Sequence, residues 1–320
     1  MRPAVVARYV GKRLLLTIPT LLIVALLVFA LVRAIPGDPA QVMLGDAADP
    51  GAIAAMHREM GLDRPLWVQF AQWLSHVVRG DLGTSIITGE PVRALMLDRF
   101  LVTASIVVTA IALATLTAIA AGLVAAANRG KALDRAIVSA ATLSMAIPSF
   151  WLGLMLILVF GVKLGWLPVV GYVPLSDGLA AGLPYLVLPV ATLAMVETGV
   201  LIRMMRASAI EVLSLDYVTH ARAKGLSERS VLLRHVLPNA FAPTMTLVGL
   251  TLGHLLGGAA VVETVFTLPG LGRLIVDSVL SRDYPVVQGC LLFTALVYVV
   301  LNLATDLLYP LLDPRVTLDG

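Results

Sequence analysis

Residues that could carry out catalysis or bind a metal ion are sparse and scattered in this chain. The histidines have no second ligand at metal-binding spacing; they are His57, His76, His220, His235 and His254. The nearest match to a nucleotide-binding P-loop is Gly130-Lys131, which lacks the upstream glycine and is followed by Ala132 instead of Ser or Thr. No nucleophile elbow or zinc-protease helix occurs. The sequence therefore predicts no catalytic residue, no metal site and no cofactor within this chain, and it disfavours an enzyme.

Three residues within apolar stretches could instead line a path for a transported molecule. Glu197 interrupts a long apolar run, and a charge buried in lipid is costly enough to suggest a function. It either meets a cationic group of a substrate in a water-filled path or pairs within a protein interface. Pro148 lacks an N–H and kinks a helix, so its neighbourhood can offer a free backbone oxygen and the Ser149 hydroxyl. A purely structural kink is the alternative.

A polar, basic segment, the basic hairpin (residues 207–238), separates two long apolar stretches. Apolar residues at helical spacing predict a helix over residues 208–223, Gly225 interrupts it, and Ser227 is a suitable N-cap for a second helix. A solvated structural loop is one interpretation. A short apolar tip favours insertion into the groove of a partner; the tip comprises Ala221, Ala223 and Leu226.

Composition indicates a membrane protein. The 320 residues are 59% hydrophobic and 13% charged, with a mean hydropathy of +0.93. Soluble domains carry about 25% charged residues. The net charge of +3 reflects where the basic residues lie and does not predict nucleic-acid binding. A single cysteine, Cys290, excludes an intrachain disulfide.

Six uncharged stretches are long enough to cross a membrane as helices. They are residues 14–32, 100–128, 136–162, 178–196, 235–262 and 284–305. The first is too long for a signal peptide and lacks a cleavage site, so we expect it to be retained. Lysines and arginines cluster at alternate helix ends, which predicts that both termini and the basic hairpin are cytoplasmic. The fold class is an all-α polytopic membrane protein.

The predicted domain organisation has an insertion between the first two spans. A tail and first helix (residues 1–33) precede an extracytoplasmic insertion (residues 34–99), and a five-helix core (residues 100–320) follows. Apolar residues at helical spacing predict two or three short helices in the insertion, one of them amphipathic, and a turn at residues 80–83. The insertion is either a cap that packs on the bundle or a lid that docks an external partner.

Small residues recur on the fifth predicted span. Gly249, Gly253 and Gly257 are four residues apart, so they share a face on which another helix can approach closely. The seam could pack against a helix of this chain or against a partner subunit.

The basic hairpin resembles the cytoplasmic coupling motif of ABC-importer permeases. That motif reads Glu-Ala-Ala, three residues, Gly, nine residues, Ile, one residue, Leu-Pro. The chain matches its spacing at Ala221, Gly225, Leu237 and Pro238. It departs from the motif at Thr219, His220 and His235, so any salt bridge of the missing glutamate is replaced or lost.

The resemblance extends along almost the whole chain. It also points to one branch of the ABC-importer permeases. Residues 216–226 are similar to the first-permease subunit of the dipeptide and oligopeptide branch, to which nickel and glutathione importers are also related. Further segments that carry this likeness are residues 35–39, 61–65, 80–83, 147–151, 263–272 and 312–315. The resemblance implies a type I ABC-importer permease in a prokaryotic cell (inner) membrane.

The resemblance also implies partners. A second homologous permease would pair with this chain, two cytoplasmic ATPases would hold ATP and Mg²⁺ and bind the hairpins, and an extracytoplasmic binding protein would deliver a peptide. The residues expected to contact an ATPase are Asp216, Tyr217, Thr219, His220, Ala221, Arg222, Ala223, Lys224, Gly225 and Leu226.

Other functions remain open from the sequence. Within the same family, nickel or glutathione could replace the peptide, because specificity resides largely in the binding protein. A proton-coupled secondary carrier could use Glu197 as its relay. A structural or receptor membrane subunit is a third class.

Overall fold

The computed structural model describes residues 3–34, 38–45, 49–59 and 61–312. The similarity segment at residues 312–315 lies almost wholly outside these ranges, and part of the segment at residues 35–39 does as well. In chain order the described helices are α1 (Pro3–Ala34), α2 (Pro39–Leu44), α3 (Pro50–Glu59), α4 (Leu66–Val78), α5 (Val92–Ala127), α6 (Ala132–Ala146), α7 (Ser149–Leu156), α8 (Leu179–Leu213), α9 (Asp216–Ala223), α10 (Glu228–Val231), α11 (Leu237–Gly258), α12 (Ala260–Val265), α13 (Leu271–Leu280) and α14 (Tyr284–Leu312).

Two stretches of π-helix interrupt this order. Ile157–Lys163 continues α7, and Leu232–Val236 joins α10 to α11. The second stretch ends just before Pro238, which has no N–H to donate to the preceding turn. The widened turn therefore lies where the helical hydrogen-bond ladder is already incomplete.

Five described helices are long and apolar enough to cross a membrane. They are Leu15–Ala34, Val92–Ala127, Leu179–Leu213, Glu228–Gly258 and Tyr284–Thr305. A sixth span is present when the pair Ala132–Ala146 and Ser149–Lys163 counts as one crossing. The predicted all-α polytopic fold is confirmed, and α8 continues well beyond residue 196, where the fourth predicted span ends.

The third predicted span differs from expectation. A single kinked helix over residues 136–162 is wrong, because the chain bends by 101° between α6 and the helix after it. Ile147 has an extended backbone with φ −85° and ψ 124°. The residue before a proline is pushed out of the helical region, so Pro148 ends α6 and starts a new helix instead of only kinking one.

The chain folds into two compact units. Of the described residues, those within 3–10, 104–268 and 300–312 form unit 1, and those within 11–103 and 269–299 form unit 2. In unit 1, α8 is the central helix and packs against α6, α7 and α11. A Cβ at Gly199 of α8 would collide with the Ala141 carbonyl and the Ser144 hydroxyl of α6. Glycine at this position allows the two helices to lie in close contact.

Unit 2 contains the insertion. Its three short helices α2, α3 and α4 agree in number with the prediction, and α5 begins at Val92, within the last residues of the predicted insertion. The Phe29 ring of α1 lies 5.4 Å from Phe70 and 5.9 Å from Trp73 of α4. Arg33 donates to the buried side chain of Gln69 over 2.6 Å. The insertion is thus packed against α1.

Asp38 organises the first two helices of the insertion. Its carboxylate accepts a hydrogen bond from the Ala40 N–H at the start of α2 and another from His57 of α3, at 2.8 Å. Partial burial acts to raise the pKa of Asp38, but the hydrogen bonds from His57 and the backbone outweigh it, so the pKa is lowered overall.

Candidate functional site

The basic hairpin folds as a helix, a glycine turn and a second helix. The expected helix over residues 208–223 is divided, because α8 ends at Leu213 and α9 begins at Asp216. Gly225 has φ +80°, a conformation that other residues adopt only with strain. The Ser227 hydroxyl accepts a hydrogen bond from the Ser230 N–H at the start of α10, which confirms the predicted N-cap.

The inner face of the hairpin is part of a hydrophobic core. Val218 and Ala221 of α9 are buried three residues apart, as helical spacing predicts, and Leu215 at the break is 37% exposed. The core also holds the ends of α5 and α8; its buried members are Leu123, Ala126, Met205, Ala209, Val212, Val218, Ala221, Val231, Val236 and Ala240. The hairpin is therefore a rigid extension of these helices.

Ala221 does not lie where we expected. Only 6% of this residue is exposed, because it packs in the core beneath the hairpin. Its small side chain lets the two arms of the hairpin approach each other. Ala221 thus supports the contact surface through its packing in the core, and very little of its own side chain is exposed on that surface.

The outward face presents the other expected contact residues. All are exposed; they are Asp216, Tyr217, Thr219, His220, Arg222, Ala223, Lys224, Gly225 and Leu226. Leu226 is 39% exposed, and the charged residues close to it in sequence are Arg222, Lys224 and Glu228. An exposed apolar side chain near charges of both signs suits a partner surface that combines an apolar pocket with charged groups. The positions that depart from the family motif, Thr219 and His220, lie on this same face.

A bidentate ion pair closes the turn. Arg222 Nε and Nη2 donate to the two carboxylate oxygens of Glu228 over 2.8 and 3.2 Å. The Tyr217 hydroxyl donates to the His235 carbonyl over 3.3 Å. Sequence reasoning missed Glu228, which is paired across the glycine turn and not along one helix. The exposed pair orders the tip more than it stabilises the protein.

A second bidentate pair lies at the base of the hairpin. Arg206 of α8 donates to both carboxylate oxygens of Asp134 in α6, over 2.6 and 2.8 Å. The Gly130 N–H also donates to Asp134 over 2.8 Å. The Asp134 side chain is 4% exposed and that of Arg206 is 26% exposed. Sequence reasoning missed this pair, whose members are 72 residues apart along the chain.

The three candidate path residues lie in unit 1, two of them at the start of α7 and the third in α8. Pro148 is exposed at the bend, and the half-buried Ser149 begins α7. Glu197 is half-buried in α8 and interacts electrostatically with His254 of α11. No hydrogen bond joins Ser149 to Glu197 in the described part of the chain. Their assignment to a path remains a prediction.

One buried acid escaped the sequence analysis. Glu263 is fully buried in α12, although it stands directly after the fifth predicted span. The sequence analysis included it only in the similarity segment at residues 263–272. The helix α12 packs against α7 and α8, and hydropathy alone does not predict these contacts.

The glycine seam divides between two environments. A Cβ at Gly249 would collide with Thr305, so α11 and the end of α14 are in close contact there. Gly253 is buried as well. A Cβ at Gly257 would meet no atom within 4 Å. One end of the seam thus packs within this chain, and the other end faces open space.

Within residues 3–34, 38–45, 49–59 and 61–312, no group of three or more His, Cys, Asp or Glu side chains is arranged to hold a metal ion. The candidate site consists instead of a docking surface, a buried core beneath it and an ion pair at its base. Such an arrangement can receive movement from a partner and pass it to the adjoining helices.

Comparison with known families gives matches along most of the chain. Residues 118–318 match the binding-protein-dependent transport system inner membrane component. Residues 6–107 match the N-terminal region of the membrane component of the same transport systems.

Individual relatives are similar over nearly their whole length. A Brucella abortus protein that carries the name of a peptide transport system permease is 42% identical over 308 residues, covering 96% of this chain and 98% of that protein. The glutathione transport system permease protein GsiC of Salmonella typhimurium is 45% identical over the same coverage. A solved chain of the MetNI methionine ABC transporter, in an inward-facing conformation, has a similar fold, with a TM-score of 0.56 and 18% identity over 68% of this chain and 96% of that chain.

Proposed function

Because the chain belongs to the family of binding-protein-dependent transport system inner membrane components, we propose that it imports di- or oligopeptides as one permease subunit of an ATP-driven transporter. The chain is an ABC-importer permease and a multi-pass protein of the cell membrane. What the proposal adds is the peptide, the way the subunit is driven, and the composition of the complex.

The observation that carries the proposal is the outward face of the basic hairpin. It is rigid, because its inner face belongs to a hydrophobic core, and it carries an exposed Leu226 among charged side chains. The P-loop needed to bind ATP is missing from the sequence. A subunit without a P-loop can use ATP only through contact with one that has it. The hairpin is the surface that suits this contact.

The composition of the complex is part of the proposal and rests on membership of the binding-protein-dependent transport family. Two cytoplasmic ATPases hold ATP and Mg²⁺, and each binds the hairpin of one permease. A second, homologous permease pairs with this chain, and an extracytoplasmic binding protein delivers the substrate. Closure of the ATPases moves the hairpins, and the path opens alternately to the two sides of the membrane.

The peptide assignment rests on relatedness. One relative is named for peptide transport and another for glutathione transport. Glutathione is itself a small peptide, so both names support a zwitterionic substrate with amide bonds. A glutathione or nickel importer is the alternative within the same family.

Affinity purification of the subunit tests the proposal. We expect a second permease, ATPases and a binding protein to co-purify, and mass spectrometry of the binding protein should identify a bound peptide. Bound nickel would replace the peptide assignment and keep the importer. Purification of this chain without any ATPase from an active membrane would contradict the proposal as a whole.

A further inference from the structure

The ion pair at the base of the hairpin is more elaborate than a surface salt bridge. Both carboxylate oxygens of Asp134 accept from Arg206, at 2.6 and 2.8 Å, and one of them also accepts from the Gly130 N–H. The Asp134 side chain is 4% exposed. Bidentate pairs of this kind fix both distance and orientation between the elements that carry them.

One side of this pair is attached to the hairpin. Arg206 follows Met205, which is fully buried in the core that holds Val218 and Ala221 of α9. The Thr244 hydroxyl of α11 lies 3.6 Å from the Met205 sulfur. A movement of the hairpin therefore displaces this part of α8, since packed side chains transmit displacement with little compression.

The same part of α8 is also held by α5. A Cβ at Gly122 would lie 2.8 Å from the Met205 side chain and 3.2 Å from the Arg206 backbone nitrogen. The backbones of α5 and α8 are thus in close contact directly beside the ion pair. Arg206 is fixed in place by its backbone as well as by its carboxylate partner.

The other side of the pair is attached to the bent span. Asp134 lies in the first turn of α6, and α6 ends at Ala146, where the chain bends by 101° into α7. Further along, α6 contacts α8 again where Gly199 meets Ala141 and Ser144. The ion pair and the glycine contact hold α6 to α8 at two separate levels.

We propose that Asp134 is a positioning residue that links the hairpin to the bent span, so that movement of the hairpin reaches α6 and α7. This role rests on the proposed function, in which an ATPase moves the hairpin. Stability alone gives no reason for the pair, because buried ion pairs contribute little net stability compared with apolar residues of the same size. Beyond the surrounding packing, the pair fixes the distance and orientation between α6 and α8.

The test is the number of substrate molecules imported per ATP hydrolysed by the complete, reconstituted transporter. Asp134→Asn keeps the size of the side chain and removes its charge. We expect assembled complexes with this variant to hydrolyse ATP while uptake per ATP falls by at least about fivefold, the lower end of typical coupling between sites. A residue with only a structural role would reduce the amount of complex and leave this ratio unchanged.

Two further variants keep the test decisive. Arg206→Lys retains the charge but cannot form the bidentate pair, so we expect a smaller fall in the ratio. Asp177→Asn makes the same chemical change as Asp134→Asn at an exposed residue outside the hairpin and should leave the ratio at the wild-type value. If Asp134→Asn fails to assemble, Arg206→Lys decides the matter. A ratio equal to the control in the assembled variants overturns the proposal.

The same preparation separates this inference from the proposed function. Wild-type uptake that requires ATP supports the function before any variant is compared. Wild-type uptake without ATP contradicts the function itself. An unchanged ratio in the variants, with ATP-dependent wild-type uptake, contradicts only the role of Asp134.

Discussion

At the scale of single residues, the turn of the hairpin requires a glycine at position 225. The φ of Gly225 is +80°, and an added Cβ would meet no atom within 4 Å. Space is therefore not the restriction. The left-handed backbone itself costs about 1–2 kcal/mol for a residue with a Cβ.

We predict that Gly225→Val uncouples ATP hydrolysis from uptake without preventing membrane insertion. About 1–2 kcal/mol of backbone strain lowers the population of the native turn about tenfold, and uptake per ATP should fall accordingly. Gly225→Asn is the matched control, because asparagine adopts positive φ more readily than other residues with a side chain. Normal uptake by the valine variant would show that the turn does not couple the two processes.

Glu197 separates two mechanisms at the same scale. In the ATP-driven mechanism with Glu197 in the path, Glu197→Gln weakens binding of a substrate ammonium group. We predict that KM for a protonated peptide rises about tenfold, as for one lost charge-assisted hydrogen bond, while uptake per ATP is unchanged. Kinetics in proteoliposomes measure both quantities, with the exposed Asp177→Asn as the control. Complete loss of uptake, with wild-type uptake driven by a pH gradient, would favour a proton-coupled carrier.

At the scale of helices, hydropathy and spacing predicted most elements but not how they end. The spans, the three helices of the insertion and the Ser227 cap follow from local rules. The position of the break follows from Pro148, but its angle of 101° does not, because α7 also packs against α8 and α12. The burial of Ala221 and Glu263 depends on helices distant in sequence, which no local pattern encodes.

Alanine substitutions at the two ends of the glycine seam should affect the stability of the subunit differently. Gly249→Ala should destabilise the isolated subunit by about 1–3 kcal/mol, the typical cost of overpacking, because the new methyl group meets Thr305. Gly257→Ala adds a methyl group in open space and should be neutral or stabilising by up to about 1 kcal/mol, since alanine favours helix. Apparent Tm values in detergent compare the two. Equal effects would indicate that α11 does not contact α14 as described.

At the scale of the whole molecule, the chain joins a rigid hairpin to helices that cross the membrane. The matches at Ala221, Gly225, Leu237 and Pro238 indicated the family and the hairpin. The contact of the hairpin residues with an ATPase remains a prediction. Sequence resemblance could not indicate the pairing of Asp134 with Arg206 or of Arg222 with Glu228, because each depends on backbone positions set by the folded chain. These charged residues occur in basic segments, where their partners could not be singled out.

Uptake by proteoliposomes that contain the complete transporter tests the central claim most directly. The vesicles would enclose ATP, carry the binding protein loaded with its peptide outside, and be compared with vesicles whose ATPases have an inactivated catalytic site. We predict that wild-type uptake requires ATP hydrolysis, is abolished by the inactive ATPases and falls with Gly225→Val but not with Gly225→Asn. Uptake that proceeds without hydrolysis, or that is equal in the two hairpin variants, would contradict the account of a permease driven through its basic hairpin.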